Sequence, residues 1–164
     1  MKKYFTLLLV AIFSLVIVSC DDRDEVVGDG NTYSKMTDIT GSFTDSNSYE
    51  ISQGLVNTES TDVVLVYRQS GISNGNPVWQ QIPRTLFLPE GELDYDFDFT
   101  KNDVLIKAGG NIVFSLQNNA FRDAYLNNQR FRIVLVPASQ GKNANVDYSD
   151  YNAVIKYYNI KDQK

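Results

Sequence analysis

The octet 93-LDYDFDFT-100 decides the fold. Tyr95, Phe97 and Phe99 alternate without error with Asp94, Asp96 and Asp98. Successive side chains of a β-strand point to opposite faces, so the octet reads as a strand with an aromatic face on a core and a carboxylate face in water. Upstream, 62-DVVLVYR-68 is a compact β-branched run of the kind buried on both sides. Downstream, 130-RFRIVLVP-137 puts Phe131, Ile133 and Leu135 on one face and is stopped by proline. The tetrapeptide Ala108-Gly109-Gly110-Asn111 reads as a turn, which predicts a hairpin of Val104 to Ile106 with Ile112 to Leu116.

Weaker strand patterns lie around Phe43, at Tyr49 to Ile51, at Val78 to Ile82 and at Thr85 to Leu88, with Pro83 and Pro89 as breaks. Ser70 to Pro77 is a loop by composition. Only the last segment changes period. Tyr151, Val154, Ile155 and Tyr158 fall at helical spacing behind Ser149 and Asp150, either of which can cap an amino end, predicting a short helix over 150–158. The fold class that follows is mainly β: an antiparallel β-sandwich of Ig-like size, with seven or eight strands and a short C-terminal helix. A barrel is the alternative.

The amino end has a different character. Lys2 and Lys3 precede an uncharged stretch from Tyr4 to Val18, the layout of a secretory signal. It is shorter than the roughly 20 apolar residues of a spanning helix. Ile17-Val18-Ser19-Cys20 resembles the bacterial lipobox. That resemblance implies cleavage before Cys20 and acyl chains on its sulfur and new amino end. The physical chemistry agrees, because each buried methylene contributes roughly 0.8 kcal/mol and two or more chains hold where one binds reversibly. As the sole cysteine, Cys20 has no partner within the chain for a disulfide. An ordinary signal cleavage leaving a free thiol is the alternative.

Behind the cysteine stand Asp21, Asp22, Asp24 and Glu25, with Arg23 among them. This run resembles the export tether of surface lipoproteins of the Bacteroidetes type, and the resemblance implies an outer-membrane, cell-surface address, with a periplasm-facing one as the alternative. Read from charge alone, the run is a solvated, extended spacer. The chain stays polar to about Asp38, so the expected organisation is a signal over 1–19, a lipidated Cys and tether over 20–38, and one domain over 39–164. The core and turn segments DVVLVYR, VWQQIP, DYDFDFT, FRIVLVPA and DYSDYNAVIKYY resemble the domains of small lipoproteins of that group. No activity comes with that likeness.

Charge and composition exclude several chemistries. Loss of Lys2 and Lys3 with the signal leaves 13 basic against 20 acidic residues, a balance of −7, which gains nothing from a phosphate backbone and argues against nucleic acid as a partner. With no histidine, the Ser-His-Asp and Cys-His devices and the usual zinc sites are gone. No dinucleotide or phosphate loop is present, and no cofactor is expected. Asp94, Asp96 and Asp98 open like a calcium loop, but its sixth and twelfth positions hold Phe99 and Leu105 where Gly and Glu belong, so no metal is expected there.

Alternation puts many of the aromatics in the core, Tyr67, Tyr95 and Trp79 among them. With Trp79 at the surface beside Asn74 and Asn76, the same residues become a ligand site, since sugar rings stack on aromatic faces and amides hold their hydroxyls. The leading functional expectation is a non-enzymatic, lipid-anchored binding or interaction module of the cell envelope, with the membrane reached through Cys20 and envelope proteins as partners. The alternatives are a glycan-binding surface lipoprotein and, below it, a hydrolase built on two carboxylates, which needs acids about 5 to 9 Å apart across a cleft.

Overall fold

The computed structural model describes residues 35–56, 58–137 and 146–160. Cys20, Asp21, Asp22, Asp24 and Glu25 lie outside the described residues, and so does the signal. Eight strands follow in order: β1 (Lys35–Gly41), β2 (Glu50–Gly54), β3 (Val63–Ser73), β4 (Asn76–Ile82), β5 (Arg84–Leu88), β6 (Gly91–Phe99), β7 (Asp103–Gly110) and β8 (Gln129–Val136). Two helices, α1 (Asn119–Tyr125) and α2 (Tyr151–Tyr157), complete the set with short 3-10 turns at Asp45–Asn47 and Phe114–Leu116. The strands form two antiparallel four-stranded sheets, β1-β8-β3-β4 and β2-β7-β6-β5, packed face to face. The expected mainly β class with a short C-terminal helix is what the chain adopts.

The core between the sheets takes Val64 and Val66 of β3, Phe131 and Ile133 of β8, Leu93 and Tyr95 of β6, and Val104 and Ile106 of β7. Phe43 and Tyr95 both meet Phe131 at about a ring diameter, with centroids 5.9 and 6.2 Å away. A second apolar layer lies on the outer face of the first sheet. There Leu65, Tyr67, Val134 and Val136 are covered by Tyr151, Val154 and Tyr158 of the α2 segment. That double covering explains why 62-DVVLVYR-68 is continuously apolar, whereas β6 alternates: the outer face of the second sheet carries exposed Asp96 and Asp98.

Four expectations need correction. The predicted hairpin about Ala108-Gly109-Gly110-Asn111 does not form. Strand β7 runs straight through Gly109 and Gly110, which pair with Asp94 and Leu93 of β6. Ile112–Leu116 is not a strand, and ends in the Phe114–Leu116 turn. Gly110 is required for a close approach: at φ 112° a Cβ there would stand 2.1 Å from the Glu92 carbonyl oxygen. Ser70 to Pro77 is no loop but the tip of the β3–β4 hairpin, closed by Asn74 (φ 50°) and Gly75 (φ 79°). Two central residues with positive φ suit the right-handed twist of a hairpin, and Asn-Gly supplies them. The strand expected around Phe43 falls earlier, because β1 begins at Lys35 within the segment read as linker, and Phe43 is a buried residue between β1 and the next turn. Helix α1 has no counterpart among the sequence expectations.

Candidate functional site

The C-terminal helix forms as its spacing predicts. Asp150 is its N-cap, accepting from the backbone N–H groups of Asn152 and Ala153 at 2.9 and 3.3 Å. Its apolar stripe docks on the first sheet, and the Tyr67 hydroxyl donates to the Tyr148 carbonyl at 2.8 Å to fix the entry to the helix. β4 is the edge strand beside it, so Pro77 costs no ladder bond of a central strand. Between the two elements runs a groove of about 400 Å³, walled by Asn76, Pro77, Val78 and Trp79 on one side and Ser149, Asp150, Tyr151 and Asn152 on the other.

Of the residues singled out in the sequence, Asn76 and Trp79 meet in this groove, while Asn74 sits at the exposed hairpin tip and its carbonyl accepts from the Asn76 amide at 3.2 Å. Trp79 is half-buried, unlike Tyr67 and Tyr95, which are fully buried. Its ring is 5.9 Å from that of Tyr151 and lies under the Arg132 guanidinium at 4.4 Å, a cation–π contact. The Trp79 indole N–H has no acceptor among the described residues.

Beneath the groove is a charged network that sequence reading missed. Arg132 is 1% exposed, and its Nε and Nη2 donate to Asp38 Oδ1 and Oδ2 at 2.6 and 2.9 Å. A further donor, Nη1, reaches the Tyr151 hydroxyl. Arg130 Nη2 adds a bond to Asp38 Oδ2 at 2.5 Å. Burial pushes the Asp38 carboxyl up, but hydrogen bonds and charge from Arg132 and Arg130 outweigh it and hold the group below its ordinary value. The network therefore fixes Trp79 from below and Tyr151 from the side.

Comparison of the chain with protein-family models, curated proteins and solved structures finds no match.

The carboxylates of β6 are engaged separately. Asp94 accepts from the Thr85 hydroxyl at 2.6 Å, Asp98 pairs with Lys107 at 2.7 Å, and Asp96 accepts from the N–H of Phe97. Among the described residues no group of three or more acids stands close enough to hold a metal ion. The signal that could have exposed the Arg132 network was a charge inside an apolar run, Arg130 and Arg132 in RFRIVLV. Its partner Asp38 stands in 35-KMTDITG-41, where nothing in the pattern distinguishes a buried acid from a solvated one.

Proposed function

We propose that the chain is a non-enzymatic binding module of the cell envelope, held at the outer membrane by acyl chains on Cys20 and carried to the cell surface by Asp21, Asp22, Asp24 and Glu25, with the groove between β4 and α2 as its ligand site. The observation that carries the site is the half-buried Trp79, whose indole N–H has no acceptor among the described residues, in a groove walled by Asn76, Ser149 and Asn152. An aromatic wall with amide and hydroxyl groups around it favours a polar, ring-bearing ligand, so a glycan is the ligand class the lining favours; an envelope protein is the other. The lipobox resemblance supports the anchor, and the acidic run supports the address.

Trp79 is the sole tryptophan, so tryptophan emission excited apart from the tyrosines reports on this groove. Titration with a broad panel of polysaccharides should shift or quench the emission for at least one, with the response lost in Asn76→Ala. A spectrum unmoved across the panel overturns the glycan reading. Mass analysis of the oligosaccharides after incubation tests the non-enzymatic reading, since cleavage products would refute it.

A further inference from the structure

A second buried arginine has no carboxylate partner among the described residues. On β3 the inner-face positions run Val64, Val66 and then Arg68, which is 6% exposed. Its guanidinium lies 4.5 Å above the Tyr95 ring. Nε and Nη2 donate to Gln129 Oε1 at 3.0 and 2.6 Å, and Nη2 also to the Ala124 carbonyl at 3.2 Å. All of these acceptors are neutral. No carboxylate acts on Arg68 among the described residues. The contrast is with Arg132, equally buried but closed by Asp38. Dipoles alone leave a buried cation under-compensated, and burial accordingly lowers the proton affinity of this guanidinium.

Arg68 is also not sealed in. It lines a groove of about 440 Å³ at the end of the first sheet, where β3 runs on past the start of β8. Thr40, Ser70, Asn128 and Arg130 stand around it, and among the described residues no acid is in the lining. The Thr40 hydroxyl and the Asn128 side-chain amide make no hydrogen bond with any described residue, so both are open to a ligand. Arg130 shares its charge with Asp38, whereas that of Arg68 is unshared.

We propose that this groove is an anion site, in which Arg68, with Thr40 and Asn128 as neutral donors, binds an oxyanion group: a carboxylate, sulfate or phosphate. The incoming anion supplies the countercharge the fold withholds, through charge-assisted hydrogen bonds of the kind arginine forms best. Arg130 lines this groove and its guanidinium lies 5.4 Å over the Trp79 ring, so the two grooves adjoin, but the anion site does not depend on the ligand of the Trp79 groove.

The test is titration of the full chain in detergent with sodium sulfate, phosphate, acetate or glucuronate, at constant ionic strength set with chloride, followed by backbone amide NMR. Saturable shifts at millimolar concentration are expected at Gly71, Ala124, Asn128 and Gln129. Sulfate and phosphate binding above acetate and glucuronate marks a doubly charged group, and the reverse order a carboxylate. Arg68→Met should weaken binding at least tenfold. Gln129→Glu, which places a carboxylate where Oε1 now accepts from the guanidinium, should do the same. Shifts that rise linearly without saturating, saturable shifts centred elsewhere, or equal binding in a folded Arg68→Met variant would each overturn the assignment. If neither variant folds, the parent titration alone decides between these results.

Discussion

Replacing Asp38 by Asn keeps the shape of the side chain and removes its charge, which isolates the electrostatic part of the Arg132 network. Arg132 is 1% exposed and donates two of its hydrogen bonds to Asp38, so the variant leaves a buried guanidinium facing an amide that offers one acceptor in place of two. Breaking a buried pair by removing one partner costs about 3–5 kcal/mol. The Trp79 face and the Tyr151 hydroxyl remain, and a cation–π contact is worth about 0.5–2 kcal/mol, which puts the expected loss toward the lower end, at about 3 kcal/mol. With a urea slope of about 1.5–2 kcal/mol/M, the unfolding midpoint should fall by roughly 1.5–2 M.

Two controls sharpen the result. Asp98→Asn removes the partner of Lys107 on the exposed face, with side chains 74% and 40% accessible, and should leave the midpoint unmoved within error. Adding Arg132→Met to Asp38→Asn removes the stranded charge and should recover most of the loss, because apolar replacements of a buried pair are often neutral. The pH profile carries the sign. Asp38 has a folded-state value held below its ordinary 3.8, so it stabilises the fold fully above that value, and the contribution is lost as pH falls through the folded one. Parent and variant should therefore differ most at neutral pH and converge toward pH 2. A loss below about 1 kcal/mol at pH 7, the range of an exposed pair, would refute the reasoning.

Further expectations concern the rest of the molecule. Gly110→Ala sets a Cβ 2.1 Å from the Glu92 carbonyl at φ 112° and should cost about 3 kcal/mol by denaturant titration, whereas Gly75→Ala, with nothing within 4 Å, should cost about 1 kcal/mol from φ alone; equal losses would mean that the close approach is unimportant. Burial raises the Tyr95 phenol to about 12, so its neutral form stabilises the fold fully below the unfolded value near 10, and that contribution should fade between pH 10 and 12. A Tyr95→Phe variant with the same alkaline slope as the parent would contradict this. Cys20→Ala should release the protein from membranes, and unchanged detergent partitioning would remove the anchor. Neutralising Asp21, Asp22, Asp24 and Glu25 should leave membrane attachment intact but reduce protease shaving of whole cells; equal shaving would reduce the run to a spacer.

What could be read in the sequence was whatever repeats at short range. Alternation in 93-LDYDFDFT-100 placed β6, its carboxylate face and the core positions of Tyr95 and Phe97, although Phe99 at the strand end is 49% exposed and not in the core as expected. The 3.6-residue spacing of Tyr151, Val154 and Tyr158 placed α2 with its cap. What could not be read depends on contacts distant along the chain. Gly109-Gly110 looks like a turn because glycine permits one, but here glycine is needed because the Glu92 backbone leaves no room for a side chain. The Asn74-Gly75 turn was present as a dipeptide and hidden by the surrounding serines, glycines and asparagines. Helix α1 buries only Phe121 within its seven residues, so it shows no apolar stripe, whereas α2, of the same length, buries Tyr151 and Val154. Half of the candidate site was legible, Trp79 and Asn76. Its other wall comes from residues some seventy positions later, and its charged floor joins Arg132 to Asp38 across 94.

The two sheets divide the molecule's polar chemistry unequally. On the second sheet the charges stand in water, and Asp98 and Lys107 neutralise each other where solvent already screens them. On the first sheet, an arginine is buried on each face: Arg132 under the helix and Arg68 toward the other sheet. A sheet covered on both sides would be most stable with apolar residues at both positions, and the neighbours Val66 and Val134 show what the local pattern prefers. The Arg132 position is compensated by Asp38, and its guanidinium holds Trp79 and Tyr151 in place at the wall of one groove. The Arg68 position is not compensated, and it opens on the other groove. Both buried arginines thus stand beside a groove, and in the proposed reading the first sheet carries the recognition sites while the second supports it.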